Sequence, residues 1–138
     1  MLVHMTFFLS QHKYAMDLVT AAGLQNLPPL DTLMEINLKL RKDEGDLLSD
    51  PTTYRTLVGS LLYLTNTRPD ISYVVQQVSQ FMASPRHLHM AAVRRIIRYV
   101  HSTIRSGLCY PAGTSLDLIA YSDADYVGCS DTRRSTTG

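Results

Sequence analysis

Asp50-Pro51-Thr52-Thr53-Tyr54-Arg55-Thr56-Leu57-Val58-Gly59-Ser60-Leu61-Leu62 is the stretch that decides the fold. Asp50 is a good N-cap, and Pro51 stands at the first helical position, where its missing N–H costs nothing. Tyr54, Leu57, Val58, Leu61 and Leu62 then recur at helical spacing, which predicts a helix whose buried stripe is made by those five side chains.

The same period returns on both sides. After Arg68-Pro69, Asp70 is placed to cap a helix in which Ile71, Val74, Val75, Val78, Phe81 and Met82 share a face, with Pro85 marking its end. The short loop between these two helices predicts an antiparallel pair. A further helix runs from about His87 to Thr103, with Val93, Ile96, Ile97 and Val100 turned inward and Arg94, Arg95, Arg98 and His101 outward or on the flanks. Upstream, Ser10 to Ala22 reads as a helix with Ser10 as N-cap, Tyr14, Leu18 and Ala22 at four-residue spacing, and Gly23 able to take a left-handed end. Asn26, Pro28 and Pro29 break regular structure. Arg41-Lys42-Asp43-Glu44-Gly45-Asp46 has no apolar face and reads as a linker or a loop over a surface. From Gly107 the period shortens. Leu108-Cys109-Tyr110, a Pro111-Ala112-Gly113 turn and Leu116 to Tyr121 predict two short strands in a hairpin. The expected class is therefore α+β, mainly helical, with a helical segment followed by a short hairpin.

Composition agrees with one folded domain. The chain has 138 residues, 45% of them hydrophobic, and a formal net charge of +1, too apolar and too neutral for a disordered tail. No apolar run approaches the roughly 20 residues a membrane span needs, and Met1 to Ser10 lacks the basic start and small-residue cleavage site of a signal peptide. The expectation is a soluble, intracellular chain with its compartment left open. Cys109 and Cys129 match neither a disulfide framework nor a paired zinc pattern. Neutrality hides an uneven layout: from Ile71 to Leu116 there are five arginines, at 86, 94, 95, 98 and 105, and no acid. Acids gather at Asp43, Glu44, Asp46 and Asp50, and again at Asp117, Asp123, Asp125 and Asp131.

Two groups could carry chemistry. Asp123 and Asp125 follow a predicted strand, and hard divalent cations such as Mg²⁺ take carboxylate oxygens; the bland alternative is a pair of turn formers bonded to nearby backbone. Arg94, Arg95 and Arg98 could neutralise phosphates, and the bland alternative is a solvated helix face. His87 and His89, two apart, do not share a helical face and make a poor metal pair, while His4, His12 and His101 stand alone. No nucleophile elbow or phosphate-cradling glycine loop occurs. Most of the eight tyrosines fall where core packing, rather than base stacking, is expected.

The run Tyr54-Arg55-Thr56-Leu57-Val58-Gly59-Ser60-Leu61-Leu62-Tyr63-Leu64-Thr65, followed by Thr67-Arg68-Pro69-Asp70-Ile71-Ser72-Tyr73, resembles the signature of copia-type LTR retrotransposon Pol polyproteins, between their reverse transcriptase and ribonuclease H regions. The likeness continues through Ser79-Gln80-Phe81-Met82, Pro85, His89 and Arg95 to Val100, then Tyr121 to Gly128 and Asp131 to Gly138; upstream it includes Leu9 to Ala15 and Asp31 to Met34. The resemblance implies a remnant of the reverse transcriptase thumb over 1–40, an acidic linker over 41–50, a helical connection segment over 51–105 and the truncated start of an RNase H-like domain over 106–138. In the family the thumb and connection help hold template and primer, so an RNA/DNA hybrid or other nucleic acid is the implied partner, with no membrane and the oligomeric state open.

By the same resemblance Asp123 corresponds to the first metal-binding aspartate of RNase H, and Asp125 belongs to the same motif. The complete enzyme uses Mg²⁺ or Mn²⁺; for this chain alone no cofactor is expected. The sequence holds no Tyr-x-Asp-Asp polymerase motif, and the later carboxylates of an RNase H site do not appear before Gly138. Met5-Thr6-Phe7-Phe8 also runs directly into Leu9-Ser10, without the strand and turn expected before it in the family. The expectation is a Pol remnant without catalytic activity by itself. The alternative is a nucleic-acid binding module that uses the basic helix 87–103.

Overall fold

The computed structural model describes residues 6–32, 40–113 and 117–120, and the backbone of 124–125 and 136–137. The chain forms two compact units, Phe8–Cys109 and a smaller one of Met1–Phe7 with Tyr110–Gly138. The elements in chain order are strand β1 (Phe7–Leu9), helix α1 (His12–Ala21), α2 (Thr52–Leu64), a 3-10 turn (Pro69–Ile71), α3 (Ser72–Ser79), α4 (His87–Ser102), and strands β2 (Leu108–Tyr110), β3 (Ala124–Asp125) and β4 (Thr136–Thr137). The class is mainly helical α+β.

The larger unit is a four-helix assembly in which α4 touches each of the other three, α1 packs on α2, and α2 on α3. That central place follows from its sequence, which puts Ala92, Val93, Ile96, Ile97 and Val100 on one face, all buried. Burying a Val or Ile side chain contributes about 1.5–3 kcal/mol, so this stripe is the main anchor of the core. Every buried apolar side chain among the described residues lies between Ala15 and Val100.

Helix ends show how closely local rules were followed. In α1 the Gly23 N–H donates to Thr20 and the Leu24 N–H to Val19, with Gly23 at φ +69°. This is the paired closing bond of a left-handed glycine cap, and Leu24, fully buried, supplies its apolar contact. The N-terminus differs from expectation: Gln11, not Ser10, precedes the first helical residue, and no side chain caps it. In α2 Pro51, not Asp50, directly precedes the first helical residue, and Asp50 accepts the Thr52 N–H at 2.9 Å from one place further out. That bond holds its carboxyl below the usual carboxylate range.

Several expectations are corrected. Leu62 is 39% exposed, and Leu64 takes the fifth buried place on α2. Leu62 and Leu64 flank the Tyr54-Leu57-Val58-Leu61 stripe on opposite sides, and periodicity alone could not choose between them. The third helix is shorter than predicted: a 3-10 turn precedes it and α3 stops at Ser79, while Phe81 and Met82 still pack on the core from the following turn. Arg55 explains how the chain can leave the helix there, because its guanidinium donates to the carbonyls of Met82 and Ala83 at 2.8 and 3.2 Å. Asp70 is not a free cap, since Arg68 occupies both of its oxygens at 3.0 and 2.8 Å.

The predicted hairpin is overturned. β2 pairs with β1, a strand the sequence reading lacked, and the described residues 117–120 are in no strand. Leu118 and Ile119 are 96% and 66% exposed, so the apolar run that suggested a strand buries little. At Gly107 a Cβ would collide with the Leu9 carbonyl oxygen and crowd Ser10, so only glycine lets the chain pass there. In the smaller unit β3 pairs antiparallel with β4, Ala124 opposite Thr137 and Asp125 opposite Thr136. No helix of the described residues is long and apolar enough to cross a membrane.

Candidate nucleic-acid interface

The arginines that looked like one solvated face on α4 have divided roles. Arg94 is exposed and makes no hydrogen bond or ion pair with a described residue. Arg95 and Arg98 are half-buried and hold the segment 28–32 across the helix: Arg95 donates to the Thr32 hydroxyl at 2.7 Å, and Arg98 donates twice to the Pro28 carbonyl at 3.3 and 2.9 Å. One helical turn on, the Ser102 hydroxyl accepts the Leu30 N–H at 2.8 Å and contacts the Leu30 carbonyl at 2.9 Å. Residues 95, 98 and 102 share a face at three- and four-residue spacing, which is why one segment can lie along all three.

Beside this strap lies a recess of about 400 Å³. Leu27, Leu30 and Leu40 line it from outside the helix, Leu88, Ala91 and Ala92 from α4, and Arg94, Arg95 and Arg98 add a basic wall. The site is thus cationic on one side and aliphatic within.

Elsewhere arginine serves the fold. Arg68 is buried and, besides gripping Asp70, donates to the Thr103 carbonyl and hydroxyl at 3.1 and 2.7 Å, closing the end of α4. The Arg68 guanidinium is the main cause holding the Asp70 carboxyl below its ordinary value. Arg86 donates to the carbonyls of Lys42 and Gly45, and its guanidinium stands 3.8 Å from the Asp43 carboxylate. Together with backbone bonds from His87 to Asp46 and from Leu48 to Pro85, this pins the segment read as a linker onto the start of α4.

His89 completes that junction. Its Nδ1 accepts the Arg86 N–H at 3.0 Å, so the proton sits on Nε2, which donates to the Arg41 carbonyl at 2.8 Å. The ring has no exposed surface and stacks on Phe81 with centroids 3.9 Å apart. Its position, three residues after the residue preceding the helix, is the spacing of a capping box, and that signal could have identified it. The tyrosine expectation holds for Tyr54, which is buried and donates to the Val78 carbonyl at 2.5 Å, its phenol pushed well up by burial. Tyr63 and Tyr73 are exposed instead, although Tyr63 meets Tyr14 edge-on at 5.0 Å.

Asp123 lies outside the described residues. Asp125 sits in β3, in the smaller unit, and only its backbone is described. Among the described residues no three His, Cys, Asp or Glu side chains stand together as a metal site.

Comparison with known proteins gives the class. The retrovirus-related Pol polyproteins from transposons RE1 and RE2 of Arabidopsis thaliana are 45% and 43% identical to this chain over 94% of its length. An uncharacterized mitochondrial protein of the same plant is 46% identical over 56% of the chain and 69% of its own length. The chain belongs to the Pol polyprotein family of copia-type retrotransposons. It spans about a tenth of the Pol polyproteins it matches, 9% of each. No protein-family model and no solved structure matches it.

Proposed function

We propose that this chain is the thumb and connection part of a reverse transcriptase, leading into the first strand of an RNase H-like domain, and that by itself it is a Pol remnant that contacts nucleic acid without copying or cleaving it. The observation that carries the reading is its 45% identity to the RE1 Pol polyprotein over 94% of the chain. Within that span, the helices α2 and α4 hold part of the residues of the family resemblance.

In this reading α4 supplies the contact. Arg94 is free to meet a phosphate, and Arg95 and Arg98 add charge from the same face while holding the strap. The acid-free block from Ile71 to Leu116 leaves that field unopposed along the sequence. Asp123 and Asp125 take the place of the first carboxylates of a two-metal nuclease site. Such a site needs two ions held by several carboxylates, so in this reading cleavage would require more than these two residues.

Binding of the full chain to an RNA/DNA hybrid, followed against salt, tests the proposal. Each phosphate contact contributes a slope of about −0.9 to the plot of log affinity against log salt. A slope of roughly −2 to −3 is expected if all three arginines engage, and about −1 if Arg94 acts alone. Arg94→Ala removes one unit of slope in either case. A flat salt response overturns the binding reading, and Mn²⁺-dependent cleavage of the hybrid by the purified chain overturns the non-catalytic one.

A further inference from the structure

The face of α4 combines two features that a duplex cannot use together. Arg94 projects into solvent, where any phosphate backbone could reach it. The recess beside it is concave, aliphatic and about 400 Å³, within the usual range of small-ligand sites of about 300–1,000 Å³. A duplex presents phosphates outside and stacked bases inside, so it would touch Arg94 and leave the recess empty. An unstacked nucleotide offers both an apolar ring face and an adjoining phosphate.

We infer that the recess between α4 and the 27–30 strap takes a single unstacked base of a single-stranded nucleic acid, with the adjoining phosphate on Arg94. This rests on the nucleic-acid reading above and narrows it from a hybrid to a splayed strand. The ring lies among Leu27, Leu30, Leu88 and Ala91, and the guanidinium groups of Arg95 and Arg98, fixed by the strap, offer planar cationic surfaces against which a base can stack. Charge complementarity selects the occupant: three arginines line the recess and, among the described residues, no acid does. An uncharged apolar ligand would leave Arg94 unused.

The test compares two probes on the full chain by fluorescence anisotropy: a labelled ten-nucleotide single strand and the RNA/DNA hybrid of the same sequence. The single strand is expected to bind at least fivefold more tightly. Ala91→Leu fills the recess from an exposed helical position and leaves every arginine in the sequence; it should weaken single-strand binding about tenfold and leave hybrid binding within twofold. Leu27→Trp fills the same space from the strap and should reproduce that pattern, with unchanged circular dichroism showing that both variants fold. If hybrid binding keeps its salt slope while neither variant alters single-strand binding, the recess assignment is overturned and the nucleic-acid reading stands. If neither probe binds at low salt, both fall.

Discussion

His89 shows what a single buried polar residue contributes here. Its ring fills space beside Phe81 and also satisfies two main-chain groups, the Arg86 N–H and the Arg41 carbonyl. His89→Phe keeps the volume and the stack but removes both bonds, and leaving buried groups unsatisfied costs about 1–3 kcal/mol. Chemical denaturation should show a loss of about 2 kcal/mol. Asp70 gives a pH-dependent case. Its folded carboxyl lies below the ordinary value of 3.8, chiefly because of the bond from Arg68, so its stabilisation is present above that value and is lost as pH falls through the lowered one. Asp70→Asn should therefore lower Tm at neutral pH, and the two proteins should converge on acidification below about 3.8. The Asp70 side chain is 42% exposed, so water screens the pair and the difference at neutral pH stays below about 1 kcal/mol.

At the scale of elements, α2 separates pattern from packing. Leu61 and Leu62 are adjacent and chemically identical, yet Leu61 is fully buried and Leu62 is 39% exposed. Leu61→Ala should cost about 3 kcal/mol, in the range of core truncations that leave a cavity. Leu62→Ala should cost under about 1 kcal/mol, as surface changes do. Equal losses in denaturant unfolding would show that the helix is rotated from the orientation described. The end bonds at Gly23 after α1 and at Asp50 before α2 were legible locally, because both residues act on groups within a few residues. The strand pairing was not, since β1 and β2 are separated by nearly the whole helical unit and β2 alone carries no mark of its partner.

For the whole molecule, the two units differ in what holds them. All buried apolar residues among the described ones lie within 15–100, inside the unit Phe8–Cys109. A chain of residues 8–109 should therefore unfold in one cooperative transition, with Tm within a few degrees of the full chain, followed by circular dichroism. A broad, non-cooperative melt would mean that the chain ends are required for the core. The unit also holds the arginines whose bonds are described. Five of them, at 55, 68, 86, 95 and 98, bind main-chain carbonyls or side chains of other segments, and three of these, at 86, 95 and 98, belong to the basic sequence block, which became partly an internal scaffold.

Sequence alone determined the four helices, the core stripe of α4, the helix-end signals at Asp50 and Gly23, the glycine and proline breaks, and the family resemblance, because each depends on residue types at short spacing. Tertiary structure decided the rest. It chose Leu64 over Leu62, gave β2 the partner β1, laid the 28–32 strap on Arg95 and Arg98, and closed a recess beside Arg94. The bonds of Arg98 to Pro28 and of Ser102 to Leu30 span 70 and 72 residues. No local pattern encodes such a distance; it is set by how the helices pack, and only then does a charged side chain find the carbonyl it holds.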